Sequence, residues 1–391
     1  MTVLIALLII PFAWALSNSM IIPILPQIQT ALSITDVQAG LLITALSVPT
    51  AIFLPFSGFL SDHYGRVKIM IPALILYGLG GAAAFCSGIL GSYPLMVCSR
   101  IVQGVGASGT NLLALSYAGD LYTGHDRTRI LSYLEAANST GKLVSPLLGT
   151  AAAALAWYAP FLIYPLVCLL AIVGLVLFKA QPRQAPEKLN LKQYFKTLWT
   201  LLVEKGRSLT AALLAAFITV FIWFGNLYFV SEQLAEQNLH GMTSGLLLSL
   251  PVLTMAVTAV VTGRYLQRFG LVRLITAGLV LISAAAAAAL ILPPWFLLYA
   301  LAALTGIGMG MIMPALNSLI VGAADIKKRG VVSAFYGSIR SLGSALAPVG
   351  FGLILNYGIN PTLTAAAVLA LMGVGITLLI NETELMESGS N

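Results

Sequence analysis

The sequence predicts an all-α membrane protein with twelve membrane-spanning helices in two related six-helix halves. The composition, the recurrence of long apolar segments and an internal repeat support this prediction. Of the 391 residues, 59% are hydrophobic and 8% are charged, whereas soluble domains carry about 25% charged residues. So few charges could not cover the surface of a soluble chain of this length. The composition also excludes disordered and collagen-like chains.

Apolar segments of membrane-spanning length recur along the whole chain. A helix that crosses a bilayer needs about 20 mostly apolar residues, because its backbone groups must be bonded within the segment. The predicted spans are 3–25, 38–60, 69–91, 94–117, 129–153, 159–179, 208–230, 243–265, 271–292, 295–322, 331–355 and 361–381. We interpret the first as an uncleaved span, because it lacks a basic region before it and a cleavage site after it.

The distribution of basic residues predicts the orientation in the membrane. Lys and Arg accumulate in short loops on the cytoplasmic side. Of the 20 Lys and Arg residues, 17 fall in the loops that follow even-numbered spans or at the span ends next to those loops, and the other three, Arg100, Lys142 and Arg340, lie deep within spans. We therefore expect both termini to be cytoplasmic. The formal charge of +7 then reflects topology rather than nucleic-acid binding.

The longest polar stretch divides the chain into near-equal halves. The predicted parts are an N-terminal half at 1–179, a cytoplasmic linker at 180–207, a C-terminal half at 208–381 and a cytoplasmic tail at 382–391. Apolar residues recur in the linker at helical spacing among lysines; they are Leu191, Phe195, Leu198 and Leu202. This pattern is typical of an amphipathic helix on the inner leaflet; a solvated linker is the alternative.

The two halves repeat each other at an offset of about 202 to 205 residues. Gly58–Lys68 matches Gly263–Arg273, with both glycines and the final basic residue kept, and Gly141–Pro146 matches Gly343–Pro348. Parallel six-helix repeats in membranes form transporters with a central site that opens alternately to each side. The repeat therefore predicts transport.

The turn between the second and third predicted spans has the sequence GFLSDHYGRVK. Its glycines suit close helix packing and a tight turn, and its charges cluster at the membrane surface; these residues are Gly58, Asp62, Gly65, Arg66 and Lys68. The pattern resembles the signature of the major facilitator superfamily. That resemblance implies the major facilitator fold, with Asp62 and Arg66 latching the cytoplasmic ends of the halves together. A turn that only carries positive charge is the alternative.

A second motif lies in the fourth span, where RIVQGVGA begins at Arg100. This pattern resembles the superfamily motif that is tied to proton coupling. An ionised Arg within a span costs at least about 2.5 kcal/mol on insertion scales, so Arg100 should face a cavity or a partner. The alternative is a structural role in which Arg100 donates to backbone carbonyls of the first span.

The fifth span partly matches a third motif of the superfamily, which its drug:proton antiporters carry. The matching residues are Gly141, Ser145, Pro146 and Gly149. We expect Pro146 to free a backbone carbonyl and to bend the helix. We also expect the small residues to permit close packing between the two halves.

A polar stripe lies in the same span. Glu135, Asn138 and Lys142 share one helix face, because their spacing follows the helical period. Glu135 is the one acid that the sequence places in the core of a span, so we expect it to bind and release the coupling proton, with Arg100 and Lys142 contributing. A structural Glu135–Lys142 pair bridged by Asn138 is the alternative, and Lys142 could also hold an anionic substrate.

Other polar and aromatic residues within spans are candidates for a substrate cavity. The full set is Trp14, Asn18, Asn111, Asn138, Lys142, Trp223, Asn226, Tyr336 and Arg340. Aromatic residues in spans also serve as packing or interface anchors. Arg340 could equally bind an anionic group or pair with backbone oxygens of a neighbouring helix.

The resemblance to the drug:proton antiporter branch implies a proton-coupled exporter of small lipophilic molecules in a bacterial cytoplasmic membrane. We expect a small-molecule substrate and the bilayer as partners, no nucleic acid, a monomer, and no cofactor beyond the proton gradient. One alternative is a dedicated exporter of an anionic metabolite such as a metallophore, sugar or amino-acid derivative; another is a non-transporting membrane sensor. Three Cys and three His without ligand spacing predict no metal site. The sequence shows no nucleophile paired with a base, as catalysis would need, so we do not expect an enzyme.

Overall fold

The computed structural model describes residues 2–122, 124–177, 196, 199–200, 203–239, 241–291, 294–323 and 329–386. These residues form α-helices, short 3₁₀ turns and connecting turns, and none of them is in a β-strand. The helices up to Leu177 form one compact unit, and those from Gly206 onward form the other.

The first unit contains the six spans predicted for the N-terminal half. Its helices are α1 (Thr2–Ser19), α2 (Leu25–Leu32), α3 (Asp36–Tyr64), α4 (Arg66–Ile89), α5 (Tyr93–Ala107), α6 (Asn111–Leu121), α7 (Gly124–Ala153) and α8 (Ile163–Leu177). Short 3₁₀ turns at Ile22–Ile24 and Ala159–Leu162 lead into α2 and α8. Helix α1 packs on α7 and α8, α4 packs on α5 and α8, and α3 packs on α5.

The second unit repeats this arrangement. Its helices are α9 (Gly206–Glu236), α10 (Met242–Phe269), α11 (Leu271–Ala289), α12 (Pro294–Gly322), α13 (Arg329–Leu355), α14 (Ile359–Thr377) and α15 (Glu382–Met386). Helix α9 packs on α13 and α14, α11 packs on α12 and α14, and α10 packs on α12. Each of these pairs is the counterpart of a pair in the first unit, so the sequence repeat is also a repeat of helix packing.

Helical segments lie at all twelve predicted positions, which confirms the predicted fold class. Within the described residues, ten of these segments are long and apolar enough to cross a bilayer. The two others are the fourth and fifth. The fifth, α7, has 30 residues but carries the polar stripe, which lowers its hydropathy.

The fourth span is not the continuous helix that we expected over 94–117. It breaks between α5 and α6, where the Ser108 hydroxyl donates to the carbonyl oxygen of Val105 at 2.7 Å and the Thr110 hydroxyl donates to that of Ala107 at 2.7 Å. Such side-chain bonds to the backbone compete with helical hydrogen bonds. Gly109 permits a close approach to α4, because a Cβ there would lie 2.5 Å from Cβ of Ala73.

Most of the predicted linker lies outside the described residues. This includes the four residues of the predicted amphipathic helix, Leu191, Phe195, Leu198 and Leu202. The described end of the linker contains Lys205, whose side chain is 7% exposed and donates through Nζ to the carbonyl oxygen of Leu385 at 2.8 Å. The linker therefore ends in contact with the C-terminal segment.

The start of the predicted tail folds as the short helix α15 and docks on the second unit. The Glu382 carboxylate accepts hydrogen bonds from the backbone N–H groups of Leu271 at 3.0 Å and Val272 at 3.2 Å, at the start of α11. The Ser208 hydroxyl, near the start of α9, donates to the Glu384 carboxylate at 2.7 Å. These contacts tie α15 to the beginnings of two spanning helices.

Candidate functional site

Charged residues cluster where α3 meets α4. Arg66 forms an ion pair with Asp62 and a second with Asp120, in which Arg66 Nε lies 3.0 Å from Asp120 Oδ2. Arg66 also donates to the Ser61 hydroxyl at 2.8 Å. Gly65 between the two helices has a φ of +103°, a backbone conformation that glycine adopts at little cost. Of the remaining motif residues, Gly58 is buried and Lys68 is exposed.

Asp120 is a member of this cluster that the sequence analysis missed. It lies near the end of α6, and its side chain is 34% exposed. The position of Asp120 could have indicated this contact, because the end of the fourth span lies on the same predicted side of the membrane as Arg66. Sequence spacing alone could not pair residues that are 54 positions apart.

Arg100 on α5 is fully buried and is bonded to oxygen atoms from three helices. Nε donates to the carbonyl oxygen of Leu42 on α3 at 3.2 Å, and Nη2 donates to that of Ser17 on α1 at 3.1 Å. Nη1 donates to Gln103 Oε1 at 2.6 Å. The Tyr164 hydroxyl also donates to the Ser17 carbonyl oxygen, at 3.1 Å. Arg100 thus donates to a backbone carbonyl of the first span, as expected if its role is structural. Its role in proton coupling stays a prediction.

Pro146 interrupts the hydrogen bonds of α7, and neighbouring hydroxyl groups compensate. Proline lacks the N–H that would bond to the carbonyl four residues earlier, which belongs to Lys142. The buried Ser145 hydroxyl donates to that carbonyl oxygen at 3.0 Å. One turn later, the Thr150 hydroxyl donates to the carbonyl oxygen of Pro146 at 3.0 Å.

The small residues of α7 pack within the first unit. A Cβ at Gly141 would lie 2.8 Å from Cβ of Ala15, and a Cβ at Gly149 would lie 2.2 Å from the carbonyl oxygen of Met20. Both contacts are with α1 and the turn that follows it. Our expectation that this face permits packing between the halves is therefore wrong, because α1 occupies it.

The polar stripe of α7 lies on a partly open face. Glu135 is exposed, Lys142 is partly buried and Asn138 is 4% exposed. Asn138 Nδ2 donates to Glu135 Oε1 at 3.3 Å, and Asn138 Oδ1 has no hydrogen-bond partner among the described residues. The Glu135 carboxylate is therefore held by an amide on one side and accessible on the other, and its role in binding the coupling proton stays a prediction.

In the second unit, the structure brings two of the predicted cavity residues into one pocket. Trp223 and Asn226 lie one turn apart on α9. The pocket is lined by Trp223, Asn226, Leu227 and Val230 of α9, Pro251 of α10, and Ala302 and Thr305 of α12. The cavity has a volume of about 10 Å³, which is room for about one water molecule, and its exposed lining is apolar.

The other predicted cavity residues are distributed over both units. Tyr336 is 4% exposed, and the guanidinium carbon of Arg340 lies 5.3 Å from the centre of its ring. Trp14 is partly buried on α1, and Asn111 begins α6. The side chain of Asn18 lies outside the described part of the structure. Among the described residues, no cluster of His, Cys, Asp or Glu could hold a metal ion.

The family match, the relatives and the solved structures all indicate a membrane transporter. The sequence profile of the Major Facilitator Superfamily matches residues 7–243 and 212–389. The chain is 31% identical over 360 residues to a Bacillibactin exporter of Bacillus subtilis (strain 168), covering 90% of each protein. It is 23% identical over 387 residues to Multidrug resistance protein 2 of the same organism, covering 97% of this chain and 96% of the relative. A solved bacterial homolog of the human lysosomal transporter Spinster superposes with a TM-score of 0.77 at 16% identity, covering 100% of this chain and 98% of that one.

Proposed function

The chain belongs to the major facilitator superfamily, a family of membrane transporters, and we propose that it is a proton-coupled exporter of small lipophilic molecules. Its relatives are exporters of this superfamily, so the chain is a membrane-embedded transporter of small molecules rather than an enzyme. The proposal adds the proton as the coupling ion and lipophilic compounds as the substrates.

The exposed carboxylate of Glu135 is the observation that carries the proposal. It lies on a helix that is packed against α1 through glycines, and Asn138 holds it by a hydrogen bond of 3.3 Å. A carboxylate within a membrane-spanning helix is costly when ionised and is retained where it moves ions or protons. Protonation neutralises the carboxylate and removes this free-energy cost. Binding and release of a proton would therefore change the free energy of the helix face that carries Glu135.

The names of the relatives support the substrate class. Several are multidrug resistance or efflux proteins that align over nearly the whole chain.

The test measures proton movement in proteoliposomes when a lipophilic cation such as ethidium is added. We expect the wild type to move protons on addition of ethidium and Glu135→Gln to give no more than protein-free vesicles. Glu204→Gln is the matched control, because Glu204 is also exposed but lies outside the spanning helices. Equal proton movement in the wild type and Glu135→Gln would contradict the role of Glu135.

Export of one anionic metallophore is a second candidate function. The alignment with a protein named Bacillibactin exporter, at 31% identity over 90% of the chain, is the observation that favours it. Lys142 and Arg340 supply cationic groups within spans. Proton movement evoked by bacillibactin and not by ethidium would transfer the assignment to this function.

A further inference from the structure

Arg340 places a guanidinium in the middle of the spanning helix α13. It lies about 16 Å along the helix from the first residue, Arg329, and about 22 Å from the last, Leu355, at a rise of about 1.5 Å per residue. A charged side chain at such a position is costly, so it is usually paired or faces a water-filled cavity. Arg340 therefore calls for an anionic or polar partner.

The described residues supply no oxygen atom to this guanidinium. Among them, Arg340 belongs to neither of the ion pairs, and none of its N–H groups donates a hydrogen bond. Arg100, the fully buried arginine of the first unit, is bonded to three oxygen atoms. The sequence left two roles open for Arg340, and the described part of the structure does not contain the pairing with backbone oxygens.

The one contact found for the guanidinium among the described residues is with an aromatic ring. The guanidinium carbon lies 5.3 Å from the centre of the Tyr336 ring, within the range of a cation–π interaction. Tyr336 is 4% exposed, so the ring is fixed by the core around it. The ring interacts with the positive charge and with the face of the guanidinium. The five N–H donors, which lie in the guanidinium plane, stay available to an acceptor.

The side of α13 that carries Arg340 differs from its most exposed apolar side. The leucines Leu346 and Leu353, which are 45% and 51% exposed, lie about 120° and 140° around the helix from Arg340. Exposed leucines belong on the lipid side of a spanning helix, so Arg340, which is partly buried, opens elsewhere. Its neighbours one turn away include Gly337 and Ser344, which are too small to cover the guanidinium.

We propose that Arg340 binds the carboxylate of a lipophilic carboxylic acid, such as an aryl carboxylate. Two N–H groups of the guanidinium donate to the two carboxylate oxygens, the paired geometry for which arginine is suited, while the Tyr336 ring holds the guanidinium in place. The inference rests on the proposed function, because it takes the ligand to be the exported molecule. It adds a preference within the lipophilic class, since a cation such as ethidium would bind without this contact.

The test compares two compounds of nearly the same shape, 2-naphthoate and its neutral amide, 2-naphthamide. Binding to the purified full-length protein in nanodiscs of zwitterionic lipid is measured by equilibrium dialysis at neutral pH, and the signal of empty nanodiscs is subtracted. We expect the wild type to bind the naphthoate at least about tenfold more tightly than the amide, the range of a hydrogen bond to a charged group. In Arg340→Met we expect this ratio to fall to about one, with binding of the amide retained.

Two further variants keep the test decisive. Arg273→Met is the matched control, because Arg273 on α11 is exposed and its loss also removes one positive charge; it should keep the ratio of the wild type. Arg340→Lys keeps the charge but lacks the planar pair of donors, so the ratio should fall several-fold even if Arg340→Met does not fold. A wild-type ratio of about one, or a wild-type ratio that survives in Arg340→Met or Arg340→Lys, would overturn the proposal.

This assay is independent of the assay of the proposed function, because it uses no proton gradient. Preference for the naphthoate in a protein that moves no protons would contradict proton-coupled export and support the carboxylate site. Proton movement without preference for the naphthoate would contradict the carboxylate site alone.

Discussion

The guanidinium of Arg100 joins three helices of the first unit through backbone and amide oxygens. Its three nitrogen atoms donate to Ser17, Leu42 and Gln103, which offsets the cost of burying a charge. The sequence predicted that Arg100 needs partners, and it named carbonyls of the first span as one possibility. It could not identify Leu42 or Ser17, because the carbonyls available there depend on where α1 ends and on how α3 packs.

Substitution of Arg100 should reveal its structural role as a loss of stability. Arg100→Met keeps most of the apolar stem but leaves three buried oxygens without this donor. We expect the free energy of unfolding to fall by about 3 kcal/mol, measured as a lower melting temperature in detergent. Arg340→Met is the control and should lose less, because Arg340 is only partly buried. An Arg100→Met protein with the wild-type melting temperature and no coupled transport would instead assign Arg100 to coupling.

At the scale of helices, the contact between α1 and α7 depends on residues without side chains. The glycines of the partial antiporter motif allow the carbonyl oxygens of Phe12 and Met20 to approach α7 directly. The sequence identified these small residues as a packing face but assigned the wrong partner. Helical periodicity shows which residues share a face, whereas the helix that covers this face follows from the packing of the whole unit.

Adding one methyl group should therefore separate α7 from α1. Gly149→Ala places a Cβ 2.2 Å from the carbonyl oxygen of Met20, so the backbone has to move. We expect a loss of about 1–3 kcal/mol, measured by thermal unfolding. Gly375→Ala on α14 is the matched control, because its Cβ meets nothing within 4 Å and alanine favours helix by up to about 1 kcal/mol. Equal stability of the two variants would show that the contact is not tight.

Helix α15 has a defined role at the start of α11. The first N–H groups of a helix have no partner within the helix, and Glu382 accepts from two of them. In the first half, the corresponding turn is held by the side chain of Arg66, and Leu271 occupies that position in the second half. The second half therefore lacks the arginine that forms the ion pair in the first half. The Glu382 carboxylate from the C-terminal segment binds this turn instead.

Removal of the Glu382 carboxylate should expose these amides. In Glu382→Ala we expect faster hydrogen exchange at Leu271 and Val272 and a loss of about 1 kcal/mol, the usual value of a helix cap. Exchange is measured by mass spectrometry on peptides that cover the start of α11. Glu204→Ala is the control and should leave this segment unchanged. Unaltered exchange in Glu382→Ala would show that the cap does not protect α11.

At the scale of the whole molecule, apolar length, charge distribution and the repeat were enough to predict the architecture. Each half has the same set of helix pairs, as the repeat implies. Two features depend on contacts distant in sequence and could not be predicted: the pairing of Asp120 with Arg66 and the docking of α15. The break in the fourth span instead involves local bonds of Ser108 and Thr110 to the backbone, which the apolar pattern of the span does not reveal. The open face of Glu135 likewise depends on which helices cover α7, although its place in the polar stripe was read from the spacing.

Transport driven by an imposed pH gradient tests the central claim most directly. In proteoliposomes with the exit side acidic, we predict that the wild type moves ethidium against its concentration gradient and stops when an ionophore collapses the pH gradient. Glu135→Gln should move ethidium only down its own gradient. Uphill movement by Glu135→Gln, or movement by the wild type that is indifferent to the pH gradient, would contradict proton-coupled export through Glu135.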